Sequence, residues 1–196
     1  MSALRKKSYL SEEAYLEFEE QSDIKHEYVE GDIYAMAGAG LKHNQITGNL
    51  FFQLRSARGK NSGCKIFTSD MKLRIENGRF YYYPDVILSC EKDDNAETHI
   101  ENPCFIAEVL SKSTARTDQN EKWQTYQKIP SLRYYLLVDS RQQKVDYFMR
   151  NELNAWICGE LTNDEILIIE CENFTAALTL ADIYEEVNFN AQPLTD

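Results

Sequence analysis

The sequence has no apolar run near the ~20 residues a membrane-spanning helix requires, so no segment reads as a membrane span. The opening residues, MSALRKKSYL, are basic but lead into SEEAYLEFEE instead of an apolar h-region. No secretory signal is therefore expected, and a cytoplasmic location is. No C-x-x-C occurs among the five cysteines (Cys64, Cys90, Cys104, Cys158 and Cys171), and their number is odd. Most have apolar neighbours, so buried free thiols in a reducing compartment are expected. Repeats, low-complexity tracts and linkers are missing as well, and 196 residues suit a single α/β domain spanning 1–196. No zinc finger or helix-turn-helix is recognisable.

Positive charge is missing from one region only. Residues 151–196 hold ten Asp/Glu and no Lys or Arg. The net charge of −11 argues at first sight against a nucleic-acid binder. The remaining 150 residues, with 21 basic and 22 acidic side chains, are nearly neutral. Two stretches there are basic: Arg55, Arg58, Lys60 and Lys65, then Lys112, Arg116, Lys122, Lys128 and Arg133. These are the expected nucleic-acid contacts, unless they are merely solvated faces.

What is present reads as alternating strands and helices. Residues 11–21 form a short helix with an acidic first turn, and Glu30-Gly31 turns a hairpin within 26–38. Residues 42–58 are an amphipathic helix with His43, Ile46, Thr47, Leu50, Phe51 and Leu54 at helical spacing. Strands follow at 64–75 and 79–90, then a charged loop over 91–103 and an apolar strand over 104–111. A helix over 117–129 stops before Pro130. Strands at 132–140, 144–150, 154–158 and 165–170 precede a last helix, which Thr179 and Asp182 open as a capping box.

The stretch FYYYPDVILSC (80–90) sets a puzzle, because Pro84 and Asp85 interrupt a strand-like run. Asn77-Gly78 is a strong hairpin signal, and it sets Glu76 against Arg79. Carried along the strands, that register places Asp70 directly opposite Asp85, on a polar face shared with Lys72, Arg74, Tyr81 and Tyr83. Two carboxylates ~5 Å apart at an effective dielectric of ~20 repel by about 3 kcal/mol. A bound cation, a shared proton or splaying into water would relieve that.

Glu108 is the one charge in the apolar run FIAEVL, and a buried carboxylate must be paired or bind a metal. Carboxylates on adjacent strands are the hard oxygen ligands of Mg²⁺ or Mn²⁺. On the following helix Lys122, Trp123, Tyr126 and Ile129 share a stripe, so Lys122 borders its buried side. Asp118 fits the N-cap of that helix better than a partner four residues before Lys122. His43 opens its helix on the apolar stripe, as a hydrogen-bonded core histidine or as a ligand. Glu27 and Asp32 read as strand and turn groups with local partners.

These motifs together, YPDV, then EVLSKST, then D…K…Y and YYLLVD, resemble the Uma-two family, a group designated "putative restriction endonucleases" within the PD-(D/E)XK nuclease superfamily. The likeness extends to HEYVEGDIYAMAG, HNQITGNL and LADIYEEV. It implies an α+β restriction-endonuclease-like core, a mixed central sheet flanked by helices. It also implies metal-dependent hydrolysis of DNA phosphodiesters, with Asp85 at the PD position and Glu108 at the D/E position. Leu110 stands where the superfamily's E-x-K has lysine. In the family resembled a helix lysine substitutes, here Lys122, with Lys112 a weaker candidate. Asp85, Glu108 and Asp70 would hold Mg²⁺ or Mn²⁺, and His43, a position where the family has histidine, would be accessory. A homodimer or larger homo-oligomer is expected for duplex cleavage. The alternatives are a nuclease fold retained as a binding or assembly module, and a metal hydrolase of a smaller phosphorylated substrate.

Overall fold

The computed structural model describes residues 9–60, 62–92, 94, 96–111 and 118–189. Its first helix, α1 (Glu12–Gln21), is capped by Ser11, whose hydroxyl accepts from the Ala14 N–H. Strands β1 (His26–Val29) and β2 (Asp32–Ala35) flank the turn at Glu30-Gly31, where both residues take positive φ. Helix α2 (Leu41–Ala57) buries Ile46, Leu50 and Leu54 completely. Each such side chain contributes roughly 1.5–3 kcal/mol relative to exposure.

The expected 64–75/79–90 hairpin forms, but it is divided between two sheets. Its outer part pairs β4 (Lys72–Ile75) with β5 (Phe80–Tyr82), Leu73 facing Tyr82 and Ile75 facing Phe80, in the register set by the Asn77-Gly78 turn. Its inner part pairs β3 (Lys65–Thr68) with β6 (Val86–Ser89), Thr68 facing Val86. Between these blocks one strand contributes residues 69–72 and the other only 83–85. The extra residue is a bulge, which bends the ladder and slips the register by one. The inner register, continued one step, sets Ser69 and not Asp70 against Asp85. The expected opposition of Asp70 and Asp85 is therefore corrected: the alternation ran unbroken in the sequence, but a tight turn, with the Met71 N–H bonded to the Thr68 carbonyl, adds a residue. Pro84 sits at this corner, where no ladder bond is asked of it.

The five-stranded sheet runs β2-β1-β5-β4-β7, with β7 the short strand His99–Ile100 in the charged loop, parallel to β4. The six-stranded sheet runs β11-β10-β9-β8-β6-β3, adding β8 (Phe105–Leu110), β9 (Tyr134–Asp139), β10 (Val145–Arg150) and β11 (Trp156–Glu160). Only β8 and β9 are parallel there, so the sheet is mixed, as is the five-stranded one. A separate hairpin joins β12 (Leu167–Cys171) to β13 (Phe174–Leu178), a strand the alternation did not reveal. The last helix, α4 (Leu180–Ile183), opens with the Thr179/Asp182 capping box and ends well before Val187.

One core packs α2, the β12–β13 hairpin and α4 around Val86, Leu88, Phe105, Ala107 and Leu136. The acidic region 151–196 is thus part of this core through Leu161, Ile169, Phe174 and Ile183. A second core joins Leu73, Ile75 and Tyr82 to Ile87, Ile106, Tyr135 and Tyr126. Tyr126 belongs to α3 (Trp123–Tyr126), which continues a π-helical turn over Asp118–Lys122; the expected helix is thus partly wound with the wider spacing. The expectation of free thiols is corrected too. Cys64 is bonded to Cys90, its cross-strand neighbour beyond Lys65–Ser89, and Cys104 to Cys171 on the β12–β13 hairpin; Cys158 is free and exposed. Partners so far apart in sequence left no local spacing to read. No helix among the described residues is long and apolar enough to cross a membrane.

Candidate active site

Strand pairing brings Asp85 and Glu108 together. Val86 faces Ala107 in the β6–β8 ladder, and the same register carried one residue further sets Asp85 against Glu108. The ladder ends there because Pro84 breaks it, and the Val109 N–H donates instead to Asp85 Oδ2 at 2.7 Å. Ser69 Oγ donates to Asp85 Oδ1 at 3.2 Å, and His43 Nε2, on the first turn of α2, lies 3.2 Å from Oδ2. Strand, corner and helix thus fix this carboxylate from three sides.

Glu108 points into the second core and is 3 % exposed. Its Oε1 accepts from the Tyr126 hydroxyl at 2.7 Å and from Lys122 Nζ at 3.2 Å. Burial first, and the negative Glu108 beside it, push the Tyr126 phenol well above its ordinary 10, which keeps it a donor. Lys122, itself buried, also reaches Glu27 Oε1 at 2.7 Å and lies over the Tyr82 ring. Removing one partner from so buried an ion pair costs about 3–5 kcal/mol.

Of the residues singled out from sequence, His43 meets Asp85 and Lys122 meets Glu108, and the β6–β8 register sets these two pairs on neighbouring strands. Asp70 does not join them: its side chain is 87 % exposed and ion-paired to Lys25. Lys112 lies outside the described residues, as does Arg116, and the Asp118 side chain is not described. Leu110 is buried in the core. Glu27, Tyr126 and Ser69 are the members that sequence reasoning missed as site residues. Glu27 reads as an ordinary strand residue, and only the pairing of β1 with β5 brings it to Lys122.

Behind the site, Glu19 of α1 accepts from the His26 N–H at 2.9 Å and from the Tyr83 hydroxyl at 2.7 Å. It thereby ties together the strand bearing Glu27 and the corner bearing Asp85. Two carboxylates on neighbouring strands form a donor set suited to Mg²⁺ or Mn²⁺, which bind through one or two carboxylates and take further oxygens from water and phosphate. Among the described residues no group of three or more His, Cys, Asp or Glu side chains is placed to hold a metal. Two surface hollows, lined by Tyr184 and 186–189 and by Tyr147, Met149, Leu161 and 165–168, share no residue with this cluster.

The chain superposes on the crystal structure of "a putative nuclease belonging to DUF820" from Anabaena variabilis with a TM-score of 0.71, covering 89% of this chain and 97% of that one at 16% identity, a likeness of fold. The family model Uma2, described as "Putative restriction endonuclease", matches residues 12–181, and the chain belongs to that family. Two uncharacterized proteins of Synechocystis sp. are similar in sequence. One is 39% identical over 153 residues, 76% of this chain and 86% of that protein; the other is 38% identical over 149 residues, 76% and 78% respectively.

Proposed function

We propose that the protein is a metal-dependent endonuclease that hydrolyses DNA phosphodiesters at Asp85, Glu108 and Lys122. The observation that carries this reading is the placement of Asp85 opposite Glu108 with the Lys122 ammonium 3.2 Å from Glu108. Asp85 and Glu108 would hold Mg²⁺ or Mn²⁺, which at such a site acidifies water and polarises a phosphoryl oxygen. Lys122 supplies positive charge where negative charge builds up on the phosphate. Tyr126 and Glu27 orient Glu108 and Lys122; Ser69, His43 and the Val109 N–H orient Asp85. Membership of a family described as restriction endonucleases supports DNA as the substrate, and two copies acting together would cut both strands.

Calorimetric titration with Mn²⁺ tests the metal part of this reading. Uptake by the wild type and a loss of roughly tenfold or more in affinity on Asp85→Asn are expected. Equal affinity in the two proteins refutes Asp85 as a ligand. The second reading, a nuclease fold serving as a binding module, draws on Leu110 at the usual lysine position; it predicts no Mn²⁺ uptake by either protein.

A further inference from the structure

The carboxylates at the site raise a difficulty for a polyanionic substrate. Lys122 is already held between Glu27 and Glu108, while Glu19 is bonded to Tyr83 and Asp85 adjoins at the corner. Most other described cations are committed elsewhere: Arg74 to Glu12 and Glu101, Arg79 to Glu30, Lys128 to Glu76, and Arg141 to Asp139. The basic stretch beginning at Arg55 is at the far end of α2 from His43, and within it Arg58 and Lys65 are bonded to the Cys64 and Asp94 carbonyls.

Lys25 and Lys72 are placed differently. Lys25 precedes β1 and Lys72 opens β4, yet both ammonium groups lie over the Tyr83 ring, at 5.8 and 5.9 Å from its centroid. Tyr83 is buried and pinned through its hydroxyl to Glu19, so it offers both lysines a fixed aromatic face. Lys25 Nζ also donates to the Ser69 carbonyl at 3.1 Å, and the hydroxyl of that same serine donates to Asp85. Both cations therefore sit over Tyr83, next to the Pro84-Asp85 corner, and Lys25 is tied to the facing strand as well. Asp70, which is exposed, is the ion partner of Lys25.

We propose that Lys25 and Lys72 form a phosphate-binding lip, which holds a backbone phosphate next to the one presented at Asp85, and that Asp70 is the resident counter-ion this phosphate displaces. The lip takes phosphodiester backbone irrespective of base, and it rests on the nucleic-acid reading of the adjoining site. The bulge gives Asp70 this role: the extra residue turns it out of the site and toward Lys25.

Anisotropy titrations of a short fluorescein-labelled DNA duplex, in EDTA and over a series of salt concentrations, test the lip with the full chain. Lys25→Gln and Lys72→Gln should each weaken binding roughly three- to tenfold on every duplex sequence and lower the salt slope by about one. Asp70→Asn should act in the opposite direction and tighten binding by a similar factor. Unchanged melting curves would show that the fold is intact in these surface variants. If the wild type binds the duplex and the three variants bind identically, or Asp70→Asn binds more weakly, the lip is overturned while the nuclease reading stands. If the wild type binds no duplex, the lip and DNA as substrate are both overturned, and Mn²⁺ uptake at Asp85 remains a separate question.

Discussion

Lys122 is 5 % exposed, with one carboxylate at 2.7 Å and another at 3.2 Å. A lysine so enclosed needs ion partners, and Glu27 and Glu108 are two of them. Lys122→Met leaves two buried carboxylates facing each other, and it should destabilise the protein by about 3–5 kcal/mol in urea denaturation. If cleavage proceeds as proposed, the same change should lower its rate by roughly 10²-fold. A stability loss under about 1 kcal/mol would mean the pair behaves like a surface ion pair and does not organise the site. Residue by residue, this centre was largely legible. Asp85 and Glu108 stood out because charged groups are unfavourable inside apolar strands, and Lys122 because it borders an aromatic stripe. Glu27 was not legible, since an acidic residue alternating along a hairpin strand looks the same whether it faces water or a buried lysine.

Elements carried the register error. The Asn77-Gly78 turn set three correct pairs, and hydrophobic alternation then ran on through the bulge without a break in pattern. A one-residue insertion at a corner between two buried surfaces changes no residue's polarity, so the sequence holds no sign of it. Packing of α1 on the five-stranded sheet has a pH dependence of definite sign. Glu12 accepts from Arg74 Nε at 2.7 Å and from the Tyr81 hydroxyl at 2.6 Å, and chiefly the Arg74 bond holds its carboxyl below the ordinary 4.5. Burial, opposed by Glu101, holds His99 on β7 below its ordinary 6.5. Both groups bind a proton more readily in the unfolded chain, so stability falls with falling pH. The His99 contribution is complete above 6.5 and is lost as pH falls through its lowered folded value; the Glu12 contribution is complete above 4.5 and is lost likewise. The melting temperature should therefore drop in two stages on acidification, and His99→Gln should abolish the first. Identical melting profiles for the mutant and wild type between about pH 7 and 5 would contradict this assignment.

Over the whole molecule, the net charge of −11 is distributed so that acidic groups crowd residues 151–196, of which Leu161, Ile169, Phe174 and Ile183 pack into the first core. Composition alone exposed that asymmetry, but not the packing that makes this region part of the first core, nor the cysteine pairs that bridge residues 26 and 67 positions apart. Long-range pairing leaves no local pattern to read. The candidate site lies where the two sheets meet at Pro84-Asp85, and the central claim is that this junction cuts DNA. The most direct measurement is the conversion of supercoiled plasmid to nicked and linear forms in Mg²⁺ or Mn²⁺ by the wild type, Asp85→Ala and Glu108→Ala. The account predicts metal-dependent cleavage by the wild type and a loss of at least roughly 10²-fold in each variant. Cleavage undiminished in both variants, or none by the wild type with either metal, would contradict it.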